Sequence, residues 1–442
     1  MQFLQLILIF ISAGNGIRVA SENHGIKLVS KIVFDGEILS GCLMVDKENN
    51  VHVLVANLSS VKSYDLQGNI EWIVPGYTFF APFEIVPDVR SNFTLLLKLM
   101  NKDSVKIGVV HLRTGSIVDS FFLKNSLNKF PQTVGMGDNY FLSVFRKDSP
   151  LDTPRIEILK LNRNGRLERK ATINAGFYLR KSVILEDDIG IFGVWAPLNG
   201  EAPGIAGISD LHVGVIEVSL RDGKVLNRLT FPFNSFSRSN VISPVSGDRI
   251  FATYRGNFRN ELSTSGIYML KIPELKVIKH IEVKGNIFFA NKLINGRIIA
   301  GGEEKSLKVY LFSVPDLELL KIIDMRPFLE DKKFKILPNT KVRYLIVPYI
   351  LDVNNDGNDD LVIKLGKLLS CVDARWDELS DENGKFLFYT QLLIIPGPDF
   401  DTVYPNFLSD YREIGTSVVE SKRIIAFFAK SSPSKVLIYR MY

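Results

Sequence analysis

Cysteine is nearly absent from this 442-residue chain, where only Cys42 and Cys371 occur. Two cysteines so far apart make no disulfide framework, and a zinc site takes about four ligands. Both lie in apolar surroundings, GCLMV and KLLSCV, which predicts buried free thiols. Histidine is scarce too. His24, His52, His111, His212 and His280 fall in different units with no H-x-H, H-x-x-x-H or H-E-x-x-H spacing. They are expected on the surface or in strands rather than on a metal. No G-x-S-x-G nucleophile elbow, Walker loop or G-x-G-x-x-G is present. Charge of one sign is not in excess: 54 Lys+Arg against 48 Asp+Glu leave +6. That balance does not imply nucleic acid, whose binders concentrate basic charge. No apolar run reaches the roughly 18–20 residues of a bilayer crossing, so no membrane span is expected. Helical periodicity is hard to find anywhere after residue 20.

What is present is enough apolar matter for large cores. Hydrophobic residues make up 46% and charged residues 23%, which excludes a disordered chain. The first residues, MQFLQLILIFISAGNG, hold an apolar run from Phe3 to Ile11 followed by Ser12, Ala13 and Gly14. This reads as a signal peptide over residues 1–16, cleaved near Gly14 or Gly16, although its front end lacks Lys and Arg. The expected address is secreted, periplasmic or cell surface. Sequons at Asn57 and Asn92 are no more frequent than chance and add little.

Repetition is the main signal. An alternating apolar strand, a short turn and a second alternating strand recur at 61–74, 106–122, 156–173, 213–231, 266–283 and 307–324. The turns are marked by Gly68, Gly115, Gly165, Gly223, Glu274 and Asp316, about 50 residues apart. Period-two alternation places one side of each strand in a core. A further apolar pair precedes each unit, so about 50 residues hold four strands, the content of one propeller blade. The C-terminal SKVLIYRMY (434–442) lacks a following strand and HGIKLVSKIVF (24–34) lacks a preceding one. Joined in space they complete a shared blade and remove the open edge at the seam. The prediction is an all-β fold, a single β-propeller domain over residues 25–442. Its blades are expected at 41–75, 83–122, 131–173, 180–231, 240–283, 288–324 and 343–397, with 416–442 plus 25–34 closing the eighth. Seven blades follow if one hairpin is not a full blade.

The unit VKSYDLQGNIEW resembles the repeat of PQQ-like (quinoprotein-like) propellers, which tends to run apolar-Asp-x-x-Gly-x-x-x-Trp. Only Trp72 keeps the aromatic; Ser120, Lys170, Arg228, His280 and Ile322 stand at the matching places. The resemblance implies fold more than a quinone cofactor.

One motif carries chemistry. Residues 352–361 read DVNNDGNDDL between two apolar strands. Side-chain oxygens at loop positions 1, 3, 5 and 9, with the carbonyl at position 7, can surround one Ca²⁺, and Gly357 permits the sharp turn. An EF-hand is excluded, because position 12 is Ile363 and strands rather than helices flank the loop. The motif resembles the FG-GAP or VCBS blade of integrin-α-like propellers. That resemblance implies side-chain ligation by Asp352, Asn354, Asp356 and Asp360 and backbone ligation by Asn358. One such loop implies a structural calcium rather than a regulatory array. A polar Asx turn without an ion is the other reading.

Segments 195–212, 255–265, 325–343 and 398–415 exceed what a turn needs, and long loops on a rigid ring are where binding resides. The last holds Phe400, Tyr404, Phe407 and Tyr411. The functional expectation is a non-enzymatic platform that binds a protein or glycan through 195–212, 325–343 and 398–415. The alternative is a propeller enzyme using the central cavity, either a quinone-dependent dehydrogenase or a polysaccharide lyase.

Overall fold

A computed structural model describes residues 18–19, 26–80, 91–101, 104–123, 132–134, 140–146, 155–174, 178–185, 189–195, 214–231, 235–246, 248–256, 264–289, 297–303, 306–328, 340–354, 356–371, 388–409, 412–430 and 433–442. The signal-peptide segment 1–16 and the segment 196–213 lie outside them. Among the described residues the chain is almost entirely β, and no helix is long and apolar enough to cross a membrane.

Strand β1 (Arg18–Val19) precedes β2 (Ile26–Phe34). Blade 1 then runs β3 (Ser40–Val45), β4 (Val51–Ala56), β5 (Ser60–Tyr64) and β6 (Ile70–Pro75). Blade 2 is β7 (Phe79–Phe80), β8 (Phe93–Asn101), β9 (Ser104–His111) and β10 (Ile117–Leu123). Blade 3 is β11 (Gln132–Val134), β12 (Tyr140–Arg146), β13 (Arg155–Leu161) and β14 (Leu167–Asn174). Blade 4 is β15 (Tyr178–Leu185), β16 (Ile189–Trp195), β17 (Gly214–Ser219) and β18 (Val225–Thr230). Blade 5 is β19 (Ser235–Ser246), β20 (Arg249–Gly256), β21 (Thr264–Lys271) and β22 (Lys276–Lys284). Blade 6 is β23 (Ile287–Phe289), β24 (Ile298–Glu303), β25 (Lys308–Ser313) and β26 (Leu319–Asp324). Blade 7 is β27 (Thr340–Leu351), β28 (Asp360–Cys371), β29 (Phe388–Ile395) and β30 (Thr402–Ser409). Blade 8 is β31 (Arg412–Val419), β32 (Ile424–Lys430) and β33 (Ser434–Met441), completed by β2.

Each blade is an antiparallel meander in chain order, and the eighth reads β2-β33-β32-β31. The expected joining of the two ends is therefore present, from Ile26 opposite Met441 to Phe34 opposite Ser434. Burial follows position in the blade. The second strands β4 and β24 are buried along their whole length, while the fourth strands β6, β18, β22 and β26 are mostly exposed or half-buried. Apolar side chains between neighbouring sheets form the cores, such as Phe34, Val53, Phe428 and Ile438 between blades 8 and 1.

The hairpin between third and fourth strands needs a left-handed residue. Blades 1–4 supply Gly68, Gly115, Gly165 and Gly223, all at positive φ. Blades 5–7 place Leu275, Leu317 and Phe400 there at φ 50–53°, each buried. Holding a side chain in that conformation costs about 1–2 kcal/mol. Burial of Leu or Phe returns about 1.5–3 kcal/mol.

One expectation is corrected here. Residues 398–415 are not a long loop, and blade 7 does not stop at 397. Gly397-Pro398-Asp399-Phe400 is a hairpin turn, Thr402–Ser409 is the fourth strand of the blade, and Arg412 opens the next. Phe400 leads into the core between blades 6 and 7 instead of standing free. Pro405 stands within this strand, and a proline is tolerated on a blade's fourth strand because it lies at the sheet edge. Of 325–343, Arg326–Phe328 form one 3-10 turn and β27 begins at Thr340.

Candidate functional site

The loop joining β27 to β28 brings Asp352, Asn354, Asp356 and Asn358 together on the surface. Asp352 accepts the Asp356 N–H at Oδ1 (3.2 Å) and the Gly357 N–H at Oδ2 (3.0 Å). Asn354 Oδ1 accepts the Asp356 N–H at 3.0 Å, and Asp356 Oδ1 accepts the Asn358 N–H at 2.8 Å. That last bond leads in holding the Asp356 carboxyl below its ordinary value. Gly357 has φ 81° and open space around it, so its role is conformational. Both Asp352 oxygens and Asp356 Oδ1 thus accept backbone N–H groups, Asp356 Oδ2 accepts the Asn354 side-chain amide at 3.0 Å, and oxygens of this kind are the ligands a hard cation takes.

Asp360 behaves differently. It is fully buried, and its two oxygens accept the N–H groups of Val353 (2.7 Å) and Gly397 (2.9 Å). Burial pushes its carboxyl up, opposed by those N–H bonds. It ties the loop to the β29–β30 turn. Among the described residues no three His, Cys, Asp or Glu side chains are gathered as a metal cluster. The donor chemistry of Asp352, Asn354, Asp356 and the Asn358 carbonyl fits calcium, and Asp360, buried beneath them, also latches the loop to the backbone of Val353 and Gly397.

Asp359, absent from the expected set, crosses to the next blade. Its Oδ2 accepts the N–H groups of Arg297 and Ile298 at the start of β24 (3.2 Å to the latter). From blade 6, Lys321 Nζ donates to the carbonyls of Asp399 (3.2 Å) and Phe400 (2.9 Å) and pairs with Asp401. The loop thus sits on the seam between blades 6 and 7. A nearby open groove of about 520 Å³ is lined by Lys308, Leu320, Lys321, Ile322, Asp324 and Arg326. Its charges are largely spoken for, since Arg326 pairs with Asp324 and Lys321 with Asp401.

A second polar centre was not foreseen. His52 on β4 is buried, with Nδ1 2.7 Å from Glu71 Oε2 and Nε2 3.4 Å from Asp46 Oδ2. Ser63 donates to the same Glu71 oxygen at 2.6 Å. Asp46, also buried, receives the Asn50 N–H and, from blade 2, Arg113 Nε at 2.7 Å. Arg113 reaches Glu48 as well. Burial by itself would lower the His52 pKa, but Glu71 and then Asp46 outweigh it and raise the imidazole above its usual value. Burial likewise works against an ionised Asp46, yet Arg113 and Asn50 lead a set of bonds that hold its carboxyl well below the usual range. Beside this cluster Trp72 donates its indole N–H to the Leu112 carbonyl of blade 2, and the turn residue Gly115 leaves no room for a Cβ against the ring. His52 and Glu71 lie 19 residues apart and Asp46 and Arg113 67, and only the D-x-x-x-N turn Asp46–Asn50, repeated at Asp65–Asn69, was a visible signal.

His280 ends a parallel stack, 3.9 Å from Tyr268, which in turn stacks on Phe231. Cys42 is buried, which pushes its thiol up to about 12 and keeps it unreactive.

No protein-family model matches the chain, and no curated protein matches it in sequence. Among solved structures the Dos1 propeller aligns with a TM-score of 0.52 at 11% identity, covering 94% of this chain and 95% of that one. The fold is a β-propeller. Similar too are BamB from Moraxella catarrhalis (TM-score 0.49, 10% identity, 94% and 99% covered) and the dihydro-heme d1 dehydrogenase NirN in complex with DHE (0.49, 12%, 86% and 67%). At such identities a propeller likeness speaks for fold alone, since one fold hosts many functions.

Proposed function

We propose that this chain is an exported β-propeller acting as a rigid binding or assembly platform for a protein or a glycan, with one structural calcium in blade 7. The observation that carries the platform reading is ring closure by β2 against β33. Eight sheets held as one body present a surface that is ordered before a partner arrives, which lowers the entropic cost of binding. The apolar run Phe3–Ile11 supports export to the periplasm, the cell surface or the medium. N-terminal sequencing of the exported chain should begin at Asn15 or Ile17, and an uncleaved cytoplasmic product would overturn that part.

Calcium would be held by Asp352, Asn354, Asp356 and the Asn358 carbonyl, with Asp360 bracing the loop from beneath. The bound cation supplies positive charge that offsets the mutual repulsion of these carboxylates. An affinity of about 10⁻⁴–10⁻³ M is expected of one loop in an exported module. Adding 10 mM calcium in place of chelator should raise the melting midpoint by about 1–3 °C. Asp356→Ala should abolish that response, and an unchanged midpoint in the unaltered chain would remove the ion from the proposal. A glycan array and cross-linking to native extracts address the partner. Turnover with a quinone or a polysaccharide would replace the platform reading with the enzyme one.

A further inference from the structure

The outermost strands of the blades share a defect, and blade 7 departs from it. In β6 the register jumps over Glu71, so that Ser63 faces Trp72 and Tyr64 faces Ile70. The same extra residue occurs beside the turn as Val118 in β10, Lys170 in β14, Leu226 in β18, Ile278 in β22 and Leu320 in β26. In blade 8 it is Val29 of β2, next to the end of β33. A bulge bends an edge strand and interrupts its outward row of N–H and C=O groups, which blocks pairing with another strand.

Strand β30 has no bulge beside its turn. Its register from Ile394–Tyr404 to Gln391–Phe407 is continuous, and the extra residue, Leu408, lies at the far end. At this regular stretch a fifth strand is added, with Arg18 opposite Thr402 and Val19 opposite Val403, in parallel. Among the described residues no other blade carries a fifth strand. Pro405 limits the open stretch, because an edge proline offers no outward N–H. Thr402 to Tyr404 remain, and β1 covers the first two of them.

We propose that the outer edge of blade 7 is a β-strand docking site whose resident occupant is the chain's own N-terminal segment around Arg18–Val19. Two residues of pairing hold separate molecules together only weakly, at millimolar concentration or above. Residues 20–25 tether β1 to β2 of the adjacent blade, and so short a tether gives an effective concentration in the millimolar range or above. The segment therefore covers, in cis, the one blade edge that is otherwise open to strand addition.

The test uses the full chain with Arg18→Pro and Val19→Pro together, which removes the backbone donors of β1. Amide exchange at Thr402–Tyr404 should become about tenfold faster or more. Millimolar synthetic peptide Ile-Arg-Val-Ala-Ser-Glu (residues 17–22) should restore protection in the double variant and leave the unaltered chain unchanged. Equal exchange in the two chains would overturn the covering role. Faster exchange that the peptide does not reverse would overturn the docking site. A double variant that sediments as a dimer with this edge protected would assign the edge to a second copy and overturn the occupant named here.

Discussion

The seam between blades 1 and 2 and the seam between blades 6 and 7 are each crossed by an aspartate, but they are built in opposite ways. Asp46 is buried and meets charges, Arg113 from the neighbouring blade and His52 from its own. Asp359 meets backbone N–H groups at the surface, beside a loop rich in oxygen donors. A buried charge cluster gains its strength from low dielectric and loses heavily when one member is removed. A surface clasp is forgiving, since water replaces what is lost. The first seam is thereby specific and brittle. The second is adaptable.

The comparison breaks first at Asp46. Asp46→Ala leaves His52 and Arg113 short of their shared partner and should cost about 3 kcal/mol in denaturant unfolding. A loss below about 1 kcal/mol would place this seam with the forgiving kind. Asp360→Ala strands two N–H groups in blade 7 and should cost about 2 kcal/mol. It sharpens the contrast between the buried latch and the exposed donors. Asp359→Ala should cost only about 1 kcal/mol, since the Arg297 amide is open to water. Its amide exchange signature should be confined to Arg297 and Ile298.

The smallest effect is on pH dependence. His52 has a raised pKa in the folded chain, so its contribution is complete below its unfolded value of about 6.5 and is lost as pH rises through the folded value. Asp46 has a lowered pKa; its contribution is present above the ordinary carboxylate value and lost as pH falls through the folded one. The melting midpoint should therefore decline from pH 6 upward. His52→Asn should flatten that decline, and an unaltered slope would show that the imidazole is not the titrating group.

Much of the ring was legible beforehand because its signal is local. Alternation and a left-handed turn residue suffice to mark a hairpin, and Gly68, Gly115, Gly165 and Gly223 announce four of them. Blade 7 was cut short because its turn carries Phe400 where the others show glycine or leucine, and because Pro405 disguises an edge strand. The matching Pro-acidic-apolar order in Pro273-Glu274-Leu275, Pro315-Asp316-Leu317 and Pro398-Asp399-Phe400 would have revealed it. In the loop over 352–360 the oxygen donors were readable from spacing. That Asp360 turns inward and Asp359 outward to blade 6 was not, since adjacent residues differ there only in what the fold sets beside them.

The amino-acid order determined most of the strands, their turns and the oxygen-rich loop, which rest on contacts between near neighbours in the chain, and its two half-hairpin ends announced the shared eighth blade. Tertiary structure alone decided which carboxylates became buried partners, that Trp72 meets Leu112 and Arg113 meets Asp46 across a seam, and that one edge was left regular enough for Arg18 and Val19. Those outcomes depend on dielectric surroundings and on distances between residues far apart in sequence. No periodicity encodes either.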